Sequence, residues 1–493
     1  MLLSELIKTV PILGVRGSTD QEITHLTADS RAVQPGTLFV CIHGEKHDGH
    51  SFIPQAIRNG AAAIIGAEDL APSVTYIRTE DTRLAAGRLA AAFHGYPSRR
   101  LRVVGVTGTS GKTTTTYLTD AILERAGNRV GLIGTIRNKV GGKDFPVEHT
   151  TPESIDLQSL CGAMVAAGDN YLVMEVSSHA LELHRVEGLE FDVAVFTNLS
   201  HEHLDFHGTM ADYLAAKAKL FRRLPTAAAG TPPKQPKTAV INSDDPHGGE
   251  IIKQTEVPVL TYGIESAADI KAENVRVTAA GVRYMARTPL GAMELHLPVT
   301  GLFNVYNSLA AIGAAVAEGI SPAVIKAALE EFGGVPGRFE LVAGGQDFAV
   351  IVDYAHKPDG LEKVLRTARG FARGRIITVF GCGGDRDRTK RPLMGEIAGK
   401  LADYTVITSD NPRSEDPLAI IREVESGIAR VTDNYTAEAD RQKAIERAIR
   451  MAKRDDIVII AGKGHETSQV LKEGSIHFDD REVARNVLRR LEK

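Results

Sequence analysis

The sequence has no tryptophan and only three cysteines among its 493 residues. Cys41, Cys161 and Cys382 are too scattered to form a metal-binding motif or a disulfide framework, and they fit a reducing compartment. Neither sign of charge is in large excess, because 58 Lys and Arg against 62 Asp and Glu give a formal net charge of −4. Composition therefore gives no electrostatic argument for nucleic acid or an anionic membrane surface as a partner.

Long apolar runs are also missing, since no segment approaches the ~20 apolar residues that a membrane span requires. Glu5 and Lys8 interrupt the apolar N-terminus, so it does not have the pattern of a signal peptide. The remaining composition, 43% apolar and 24% charged, is that of an ordinary globular protein. We therefore expect a cytoplasmic protein.

The chain is too long for a single hydrophobic core and is expected to form three domains. Glycine- and proline-containing breaks at 95–98 and 333–337 predict domains over 1–99, 100–335 and 336–493. Segment 225–237, PTAAAGTPPKQPK, is predicted to be a surface loop of low complexity.

Apolar runs bounded by polar or glycine-rich segments predict strands that alternate with helices. The predicted elements are a helix over 53–59 and strands over 37–42, 62–66, 171–176, 193–197, 349–353, 375–380, 404–408 and 457–461. Such alternation predicts an α/β fold with largely parallel sheets and with ligands at the carboxyl ends of the strands. The first domain is predicted to be a smaller α/β unit and the third to be Rossmann-like.

The segment Val103 to Thr116, VVGVTGTSGKTTTT, has the pattern of a strand, a glycine turn and a helix that closes near Gly127. This arrangement directs backbone N–H groups and a helix N-terminus at phosphate. Lys112 is expected to reach the terminal phosphates of a nucleotide, and the hydroxyl of Thr113 is expected to bind Mg²⁺. The segment departs from the usual P-loop pattern because Val106 occupies a position where glycine or alanine is usual.

Polar residues at the ends of the next two strands extend this site. Glu175 ends one strand, where a carboxylate would lie beside the phosphates and could bind magnesium, and His203 follows the next strand. His201, His203 and His207 could instead bind zinc or be structural, although their spacing is not H-E-x-x-H. Lys217 lies on a helix facing the same region, and alone it would be read as a solvated lysine.

Several motifs occur together in one order between residues 108 and 466. They are GTSGKTTTT, EVSSHALELHRV, TNLSHEHLDFHG with YLAAK, GLFNVYNSLAA, GRFE, DYAHKPDGLE, GCGGDRDRTKRPLMG, SDNPRSEDP and AGKGHE. In this order the chain resembles a Mur ligase, and TADSRAVQPGTLFVCIHG at 27–44 extends the resemblance to nearly the full length. The Val106 departure fits as well, because the family's loop reads GTxGKTT.

The resemblance implies an ATP- and Mg²⁺-dependent ligase of peptidoglycan precursor synthesis that joins an amine to a carboxylate through an acyl phosphate. It implies that Lys112, Glu175, His203 and Lys217 are catalytic and that Lys217 is carbamylated by carbon dioxide. The implied metal ligands are Thr113, Glu175, His203 and Lys217. The implied ATP-binding residues are Gly108, Thr109, Ser110, Gly111, Lys112, Thr113, Thr114, Asn304, Asn307, Arg338, Asp353 and His356.

The resemblance also implies two small-molecule substrates, a UDP-N-acetylmuramoyl dipeptide and an amino acid, and a monomeric enzyme. The implied dipeptide-binding residues are Ser30, Glu45, Lys46, His47, Thr150, Thr151, Ser177 and Arg185. The sequence departs from some relatives here, which have Gln at the position of Leu183 and Asn at that of His149. The implied amino-acid-binding residues are Arg386, Asp410, Asn411, Pro412, Arg413, Gly462 and Glu466.

The DNPR segment, residues 410–413, is the family motif associated with meso-diaminopimelate rather than L-lysine. Arg413 can bind the distal carboxylate of diaminopimelate bidentately, whereas it would repel the lone distal ammonium of L-lysine. An L-lysine-adding ligase of the same family remains the nearest alternative. A folylpolyglutamate synthetase would not need the match at 27–44, and a P-loop switch lacks support because no N-K-x-D motif occurs.

Overall fold

Short runs of valine, isoleucine, leucine and alanine form most of the strands, because these side chains fill both faces of parallel sheets that helices cover. The computed structural model describes residues 1–44, 47–225, 234 and 236–491. Glu45, Lys46 and most of the segment 225–237 therefore lie outside the described residues. Each strand or helix predicted above over 37–66, 171–197 and 349–461 is confirmed to within two residues at each end.

The N-terminal region is a five-stranded sheet with three helices. Its helices are α1 (Leu3–Leu6), α2 (Ile53–Arg58) and α3 (Thr82–Phe93), and its strands are β1 (Gly14–Arg16), β2 (His25–Thr27), β3 (Thr37–Val40), β4 (Ala61–Gly66) and β5 (Thr75–Arg78). The strand order is β1-β5-β4-β3-β2, with β1 antiparallel and the other pairs parallel.

A larger sheet follows, and the P-loop strand lies at its centre. Its strands between residues 102 and 263 are β6 (Arg102–Thr107), β7 (Val130–Ile133), β8 (Asn138–Val140), β9 (Lys143–Phe145), β10 (Tyr171–Glu175), β11 (Val193–Phe196), β12 (Thr238–Asn242) and β13 (Val259–Gly263). The order β13-β12-β11-β6-β10-β7-β8-β9 places β6 between β10 and β11, and all pairs from β13 to β7 are parallel. The prediction of a largely parallel sheet is confirmed.

Six helices accompany these strands. They are α4 (Lys112–Arg125), α5 (Ser154–Ala167), α6 (Ser178–Glu182), α7 (Leu204–His207), α8 (Met210–Arg222) and α9 (Gly248–Lys253). The predicted P-loop helix is α4, which ends two residues before Gly127.

The chain divides into two compact units by its internal contacts. The first unit comprises 1–271, 287–292 and 306–328, and the second comprises 272–286, 293–305 and 329–493. Five elements are divided between the units or adjoin their boundaries: β14 (Ile270–Thr278), β15 (Gly281–Thr288), β16 (Gly291–Leu297), α10 (Leu302–Ala317) and α11 (Pro322–Glu330). The domain boundaries at 99/100 and 335/336 remain a prediction.

The second unit contains a six-stranded sheet and a two-stranded hairpin. The strands are β17 (Glu340–Leu341), β18 (Ala349–Asp353), β19 (Ile376–Phe380), β20 (Tyr404–Ile407), β21 (Tyr435–Ala437), β22 (Ile457–Ala461), β23 (Ser468–Leu471) and β24 (Gly474–His477). The helices are α12 (Pro358–Arg369), α13 (Lys390–Leu401), α14 (Pro417–Ile428), α15 (Arg441–Met451) and α16 (Asp480–Leu491). The order β17-β18-β22-β19-β20-β21 is parallel except at β17.

Across the described residues no helix is both long enough and apolar enough to cross a membrane. Apolar side chains fill both faces of the six-stranded sheet in the second unit. Ile351, Ile459 and Phe380 belong to the cluster on one face. Val350, Val379 and Ile460 belong to the cluster on the other face.

A fully buried ion pair lies at the carboxyl edge of the six-stranded sheet in the second unit. Arg441 at the start of α15 donates from Nε and Nη2 to the two carboxylate oxygens of Asp480, both at 2.7 Å, and neither side chain is exposed to solvent. The same guanidinium donates to the backbone carbonyls of Ser409 (3.2 Å) and Ala461 (3.0 Å). The pair therefore holds together the chain segments that follow β20 and β22.

Removing one partner of this pair should destabilise the second unit strongly. Asp480→Ala leaves the Arg441 guanidinium buried without its counter-ion, which costs about 3–5 kcal/mol. We expect calorimetry to show the transition of this unit lowered by on the order of 10 °C. Glu362→Ala is the control in the same unit, because it removes an exposed pair with Arg366 (2.8 Å), which contributes about 0–1 kcal/mol. Equal effects of the two substitutions would contradict this account.

Candidate active site

The P-loop follows β6 and contains two glycines at positions that leave no room for a side chain. Gly108 has φ +152° and Gly111 has φ +88°, and an added Cβ would collide with Thr197 Oγ1 at the first and with Asn307 Oδ1 at the second. Gly111 is the N-cap of α4, so the first N–H groups of that helix lie beside the loop. This is the geometry that binds phosphate.

The lysine of the loop, Lys112, donates from Nζ to the carbonyls of Gly108 (2.9 Å) and Thr109 (3.0 Å). Two side chains fix the loop from outside, because Asn198 Oδ1 accepts from the Ser110 N–H at 3.0 Å and Tyr213 Oη lies 3.1 Å from Thr109 Oγ1. The Thr113 hydroxyl lies in the first turn of α4 and is buried, whereas Thr114 is half-buried.

Glu175 ends β10, which is the immediate neighbour of β6, and pairs in register with Val106. Its carboxylate is 1% exposed and accepts from the Thr135 N–H (2.8 Å) and the Thr135 hydroxyl (3.1 Å). The Thr135 hydroxyl also lies 3.1 Å from that of Thr150. A buried carboxylate is thus held at the strand end beside the P-loop, as the sequence predicts.

Lys217 on α8 is brought to the P-loop from 109 residues away. Its side chain is 1% exposed, and its Nζ donates to the Gly108 carbonyl at 2.9 Å, the same oxygen that Lys112 contacts. Its Nζ also lies 4.3 Å from the ring centroid of Tyr213. Burial, and then the Lys112 ammonium, lower the pKa of Lys217 well below its ordinary value. The alternative of a solvated lysine is therefore wrong.

Three histidines, His179, His203 and His207, lie close to one another beside α8. His203 is half-buried with φ +57°, and its ring lies 5.0 Å from that of His179. His207 Nε2 lies 2.9 Å from Ser178 Oγ, and its ring stacks on Tyr213. Burial, followed by the charges of His203 and His207, lowers the pKa of His179 to about 4.

Within the described ranges, the group of three or more His, Cys, Asp or Glu side chains spaced for a metal is Asp48, His50 and Glu68, and it does not include His201, His203 or His207. Both ring nitrogens of His50 already have partners, since Nδ1 lies 2.7 Å from Asp48 Oδ1 and Nε2 accepts from the Ala67 N–H at 3.0 Å. The geometry does not support the zinc alternative at residues 201–207.

The predicted dipeptide-binding residues of the larger sheet lie together. The Thr151 hydroxyl donates to the Glu175 carbonyl (2.8 Å) and accepts from the Ser177 N–H (3.1 Å), and Arg185 Nη1 donates to the Thr151 carbonyl (3.1 Å). Glu153 binds Arg185 at 2.9 Å. Among the described residues Arg185 Nε has no hydrogen-bond partner although it is buried. Thr151 thus links Arg185 to the end of β10, where Glu175 lies.

The remaining dipeptide-binding residues are in the N-terminal region. Ser30 is buried and donates to Gln55 Oε1 at 3.0 Å, and His47 is exposed, with its ring 6.2 Å from that of Phe52. Arg83 on α3 connects this region to the cluster, because it pairs with Glu153 at 3.2 Å and donates to the His43 carbonyl at 3.4 Å. Glu45 and Lys46 lie outside the described residues.

The predicted ATP-binding residues are divided between the two units. Asn307 lies against Gly111 in the first unit, whereas the second contains Asn304, which donates to the Thr300 carbonyl at 2.8 Å. Asp353 accepts from the N–H groups of Phe339 and Ala355, both at 2.8 Å. Two further residues of the second unit surround Tyr354: the Arg338 guanidinium lies 5.1 Å from its ring, and His356 Nδ1 lies 2.9 Å from its carbonyl.

The predicted amino-acid residues meet where the strands β19, β20 and β22 end side by side. Asn411 Nδ2 donates to Glu466 Oε2 at 2.9 Å, and Arg413 Nη1 donates to the Gly384 carbonyl at 2.8 Å. Arg413 has φ +53°. A Cβ added to Gly383 would lie 3.0 Å from Arg413 Nη1 and 3.9 Å from Arg386 Cγ, so both arginine side chains adjoin this glycine.

Three further members of this group, Asp410, Pro412 and Gly462, adjoin it. A Cβ added to Gly462 would lie 2.7 Å from Asp410 Oδ2, and the Pro412 carbonyl lies against Gly384. Asp410 is buried, and among the described residues its Oδ2 has no hydrogen-bond partner. The structure therefore brings the predicted residues of 383–386, 410–413 and 462–466 to one edge of the sheet.

Sequence reasoning missed three residues of these clusters. Tyr213 precedes Lys217 by four residues on α8, so helical spacing could have placed it on the same face. Thr135 follows β7, the strand beside β10, so the strand-end argument could also have found it. Lys463 lies between the predicted residues Gly462 and Glu466, and no pattern in the sequence singles it out.

Models of known families match the chain in three places. Residues 22–94 match the catalytic domain of the Mur ligase family, 106–315 match the Mur ligase middle domain, and 337–464 match the glutamate ligase domain of Mur ligases. These matches cover the three regions that the strand order separates.

Curated relatives and solved structures are similar over the whole length. The UDP-N-acetylmuramoyl-L-alanyl-D-glutamate--2,6-diaminopimelate ligase of Syntrophomonas wolfei subsp. wolfei is 48% identical over 99% of both chains. The ligase of the same name from Geobacillus thermodenitrificans is 47% identical over 98% of this chain and 99% of its own. A solved structure of a protein with that name is 32% identical, covers 100% of this chain and 99% of its own, and has a TM-score of 0.73. A P-loop with a buried lysine from α8, a three-region α/β fold and identity at this level over the full length have one explanation: the chain belongs to the Mur ligase family.

Proposed function

We propose that this enzyme adds meso-diaminopimelate to UDP-N-acetylmuramoyl-L-alanyl-D-glutamate in peptidoglycan precursor synthesis, with conversion of ATP to ADP and phosphate. The full-length relatives carry this activity in their names. The observation that carries the choice of amino acid is the cluster of Asn411, Arg413 and Glu466 at one sheet edge. We place the enzyme in the cytoplasm, where its nucleotide substrates are made, and expect a monomer.

The first chemical step joins two anions, the substrate carboxylate and the terminal phosphate of ATP. A carboxylate oxygen attacks the γ-phosphorus, ADP leaves, and an acyl phosphate forms. Lys112 and the N-terminus of α4 stabilise the negative charge that gathers on the phosphoryl group. In the nucleotide complex we expect the Lys112 ammonium to exchange the Gly108 and Thr109 carbonyls for phosphate oxygens.

Of the four residues implied as Mg²⁺ ligands, three have side chains that could bind the ion, and Lys217 does not while it is an ammonium. The Thr113 hydroxyl and the Glu175 carboxylate are oxygen ligands of the kind Mg²⁺ prefers, and the His203 imidazole lies on the loop after β11. An ammonium at Lys217 would repel the ion. When bound, Mg²⁺ would neutralise charge on the phosphate oxygens and so lower the barrier to the attack.

Lys217 fits this site as a carbamate. Burial lowers the pKa of its amine, which favours the uncharged form, and an uncharged amine adds to carbon dioxide, forming an N–C bond and releasing one proton. The product replaces a cation by a carboxylate-like anion, which removes the repulsion and supplies oxygen ligands.

The second chemical step is attack by the amino group of the amino acid on the acyl carbon. The new C–N bond forms as the C–O bond to phosphate breaks, and inorganic phosphate leaves with that oxygen. In this step the second unit contributes by positioning the amino acid, through Arg413 and Glu466 at the ends of β20 and β22.

Lys217→Ala should lower kcat by roughly two orders of magnitude or more, because it removes the anion that replaces the lysine charge. Added formate or acetate should restore part of the activity by occupying the vacated volume. Lys219→Ala is the matched control, since Lys219 lies on the same helix but is partly exposed and pairs with Glu182 at 2.6 Å. Steady-state phosphate release measures the activity of Lys217→Ala with and without the added acid, and the activity of Lys219→Ala. Full activity in Lys217→Ala would refute the proposed role.

Arg413→Ala should lower kcat/KM for meso-diaminopimelate by roughly 30-fold to several thousand-fold, because a charge-assisted bidentate pair is worth about 2–5 kcal/mol when one partner is removed. The KM values for ATP and the UDP-dipeptide should change little. The kcat/KM for L-lysine should also fall little. The measurement is kcat/KM for both amino acids in the wild-type enzyme and the variant.

Arg422→Ala serves as the control for Arg413, because its side chain is largely exposed on α14 and its partner Asp416 is 3.6 Å away. It should leave both kcat/KM values unchanged. If the wild-type enzyme preferred L-lysine, or if Arg413→Ala left the ratio of the two values unmoved, the diaminopimelate assignment would be wrong.

A further inference from the structure

A buried lysine that none of the assigned roles uses lies directly between two residues of the amino-acid cluster. Lys463 follows β22 and is 0% exposed. Its Nζ donates to Asn411 Oδ1 at 3.1 Å, to Glu466 Oε2 at 3.0 Å and to the Ser468 carbonyl at 2.6 Å. Its three N–H donors are therefore all used, and two of them bind side chains of the proposed amino-acid site.

These contacts fix which way the Asn411 amide is turned. Its Oδ1 faces two groups that can only donate, the Lys463 ammonium and the Val470 N–H at 3.0 Å. Its Nδ2 faces Glu466 Oε2, which in a carboxylate can only accept, at 2.9 Å. The opposite orientation would place the NH₂ group against two donors and the oxygen against a carboxylate, so the amide has a single satisfactory orientation.

Among the contacts of the described residues, these two side chains keep a donor and an acceptor for a ligand. The Asn411 NH₂ group gives one of its two N–H bonds to Glu466 and retains the other. Glu466 uses Oε2 for Lys463 and Asn411, and its Oε1 takes part in neither contact. Burial opposes ionisation of Glu466, but Lys463 and the Asn411 amide hold its pKa below the ordinary value, so the carboxylate is charged at neutral pH.

A retained N–H donor binds a carboxylate, and a retained carboxylate oxygen binds an ammonium. Diaminopimelate carries both groups on its distal carbon, whereas L-lysine carries only an ammonium there. The hydrogen bonds of the neighbouring buried cation, Arg441, go to Asp480 and to backbone carbonyls rather than to the side chains of Asn411 and Glu466.

We infer that Lys463 is a positioning residue for amino-acid selection: it sets the orientation of the Asn411 amide and holds Glu466 by one oxygen, so that the two side chains match the zwitterionic end of the amino acid. The inference rests on the proposed function. Without the ammonium, Asn411 Oδ1 keeps the Val470 N–H but loses its cationic donor, and Glu466 keeps the Asn411 amide but loses its counter-ion, so both side chains are held less firmly.

Lys463→Met tests this by removing the ammonium while keeping a side chain of similar length. We expect KM for meso-diaminopimelate to rise roughly 10- to 100-fold, as for loss of a hydrogen bond to a charged group. We expect kcat at saturation and the KM values for ATP and the UDP-dipeptide to change less than about 3-fold. The preference for meso-diaminopimelate over L-lysine should fall by a factor close to the rise in KM.

Gln469→Met is the matched control. Gln469 is buried on β23 and donates to the Asp410 carbonyl at 2.6 Å, so it ties the same hairpin to the same loop without contacting Asn411 or Glu466. A purely structural role for Lys463 would make the two variants alike in KM, whereas the inference predicts a rise only in Lys463→Met. A similar rise in both would overturn it.

Asn411→Asp tests the same point if Lys463→Met fails to fold. It keeps an oxygen for Lys463 and Val470 but has no N–H to donate, so KM for meso-diaminopimelate should rise by a similar factor. An unchanged KM in this variant would overturn the inference. Wild-type enzyme that ligates no meso-diaminopimelate would refute the proposed function, whereas normal ligation with unchanged KM in Lys463→Met would refute only the role of Lys463.

Discussion

One backbone oxygen organises the nucleotide site. The carbonyl of Gly108 accepts from both Lys112 and Lys217, so a loop residue and a helix residue 109 positions later converge on it. Burial, and then the neighbouring Lys112 ammonium, lower the pKa of Lys217. The Lys112 ammonium and the N-terminus of α4 remain to stabilise anions, which is what transfer of a phosphoryl group to a carboxylate requires.

The substrate sites follow from the same topology. Parallel strands end on one edge, and at that edge β6 delivers the P-loop, β10 delivers Glu175, and the segment after β10 delivers Ser177. The second unit repeats this arrangement with β19, β20 and β22, whose ends carry Gly383, Asn411 and Glu466. Each unit gathers its polar groups without interrupting the apolar core below them.

The sequence predicts well whatever depends on local pattern. The buried parallel strands predicted above, such as 171–176 and 457–461, and the P-loop helix are found from hydrophobic periodicity and glycine placement, whereas short strands such as β1, β2 and β9 are not. It cannot predict contacts between distant segments: that Lys217 meets Gly108, or that Glu153 pairs with both Arg83 and Arg185, depends on how α8 and α3 pack. The role of Lys463 depends on a hairpin, β23–β24, whose residues have no distinctive pattern. The roles of the matched site residues come from the family resemblance and stay predictions.

The central claim is that ATP activates the substrate carboxylate and does not merely drive a conformational change. It is tested most directly by labelling the reacting carboxylate of the UDP-dipeptide with oxygen-18 and analysing the released phosphate by mass spectrometry. The account predicts one labelled oxygen in each phosphate formed during ligation of meso-diaminopimelate, because the bridging oxygen of the acyl phosphate leaves with phosphorus. Phosphate that carries no label would contradict it, since ATP would then have been hydrolysed by water.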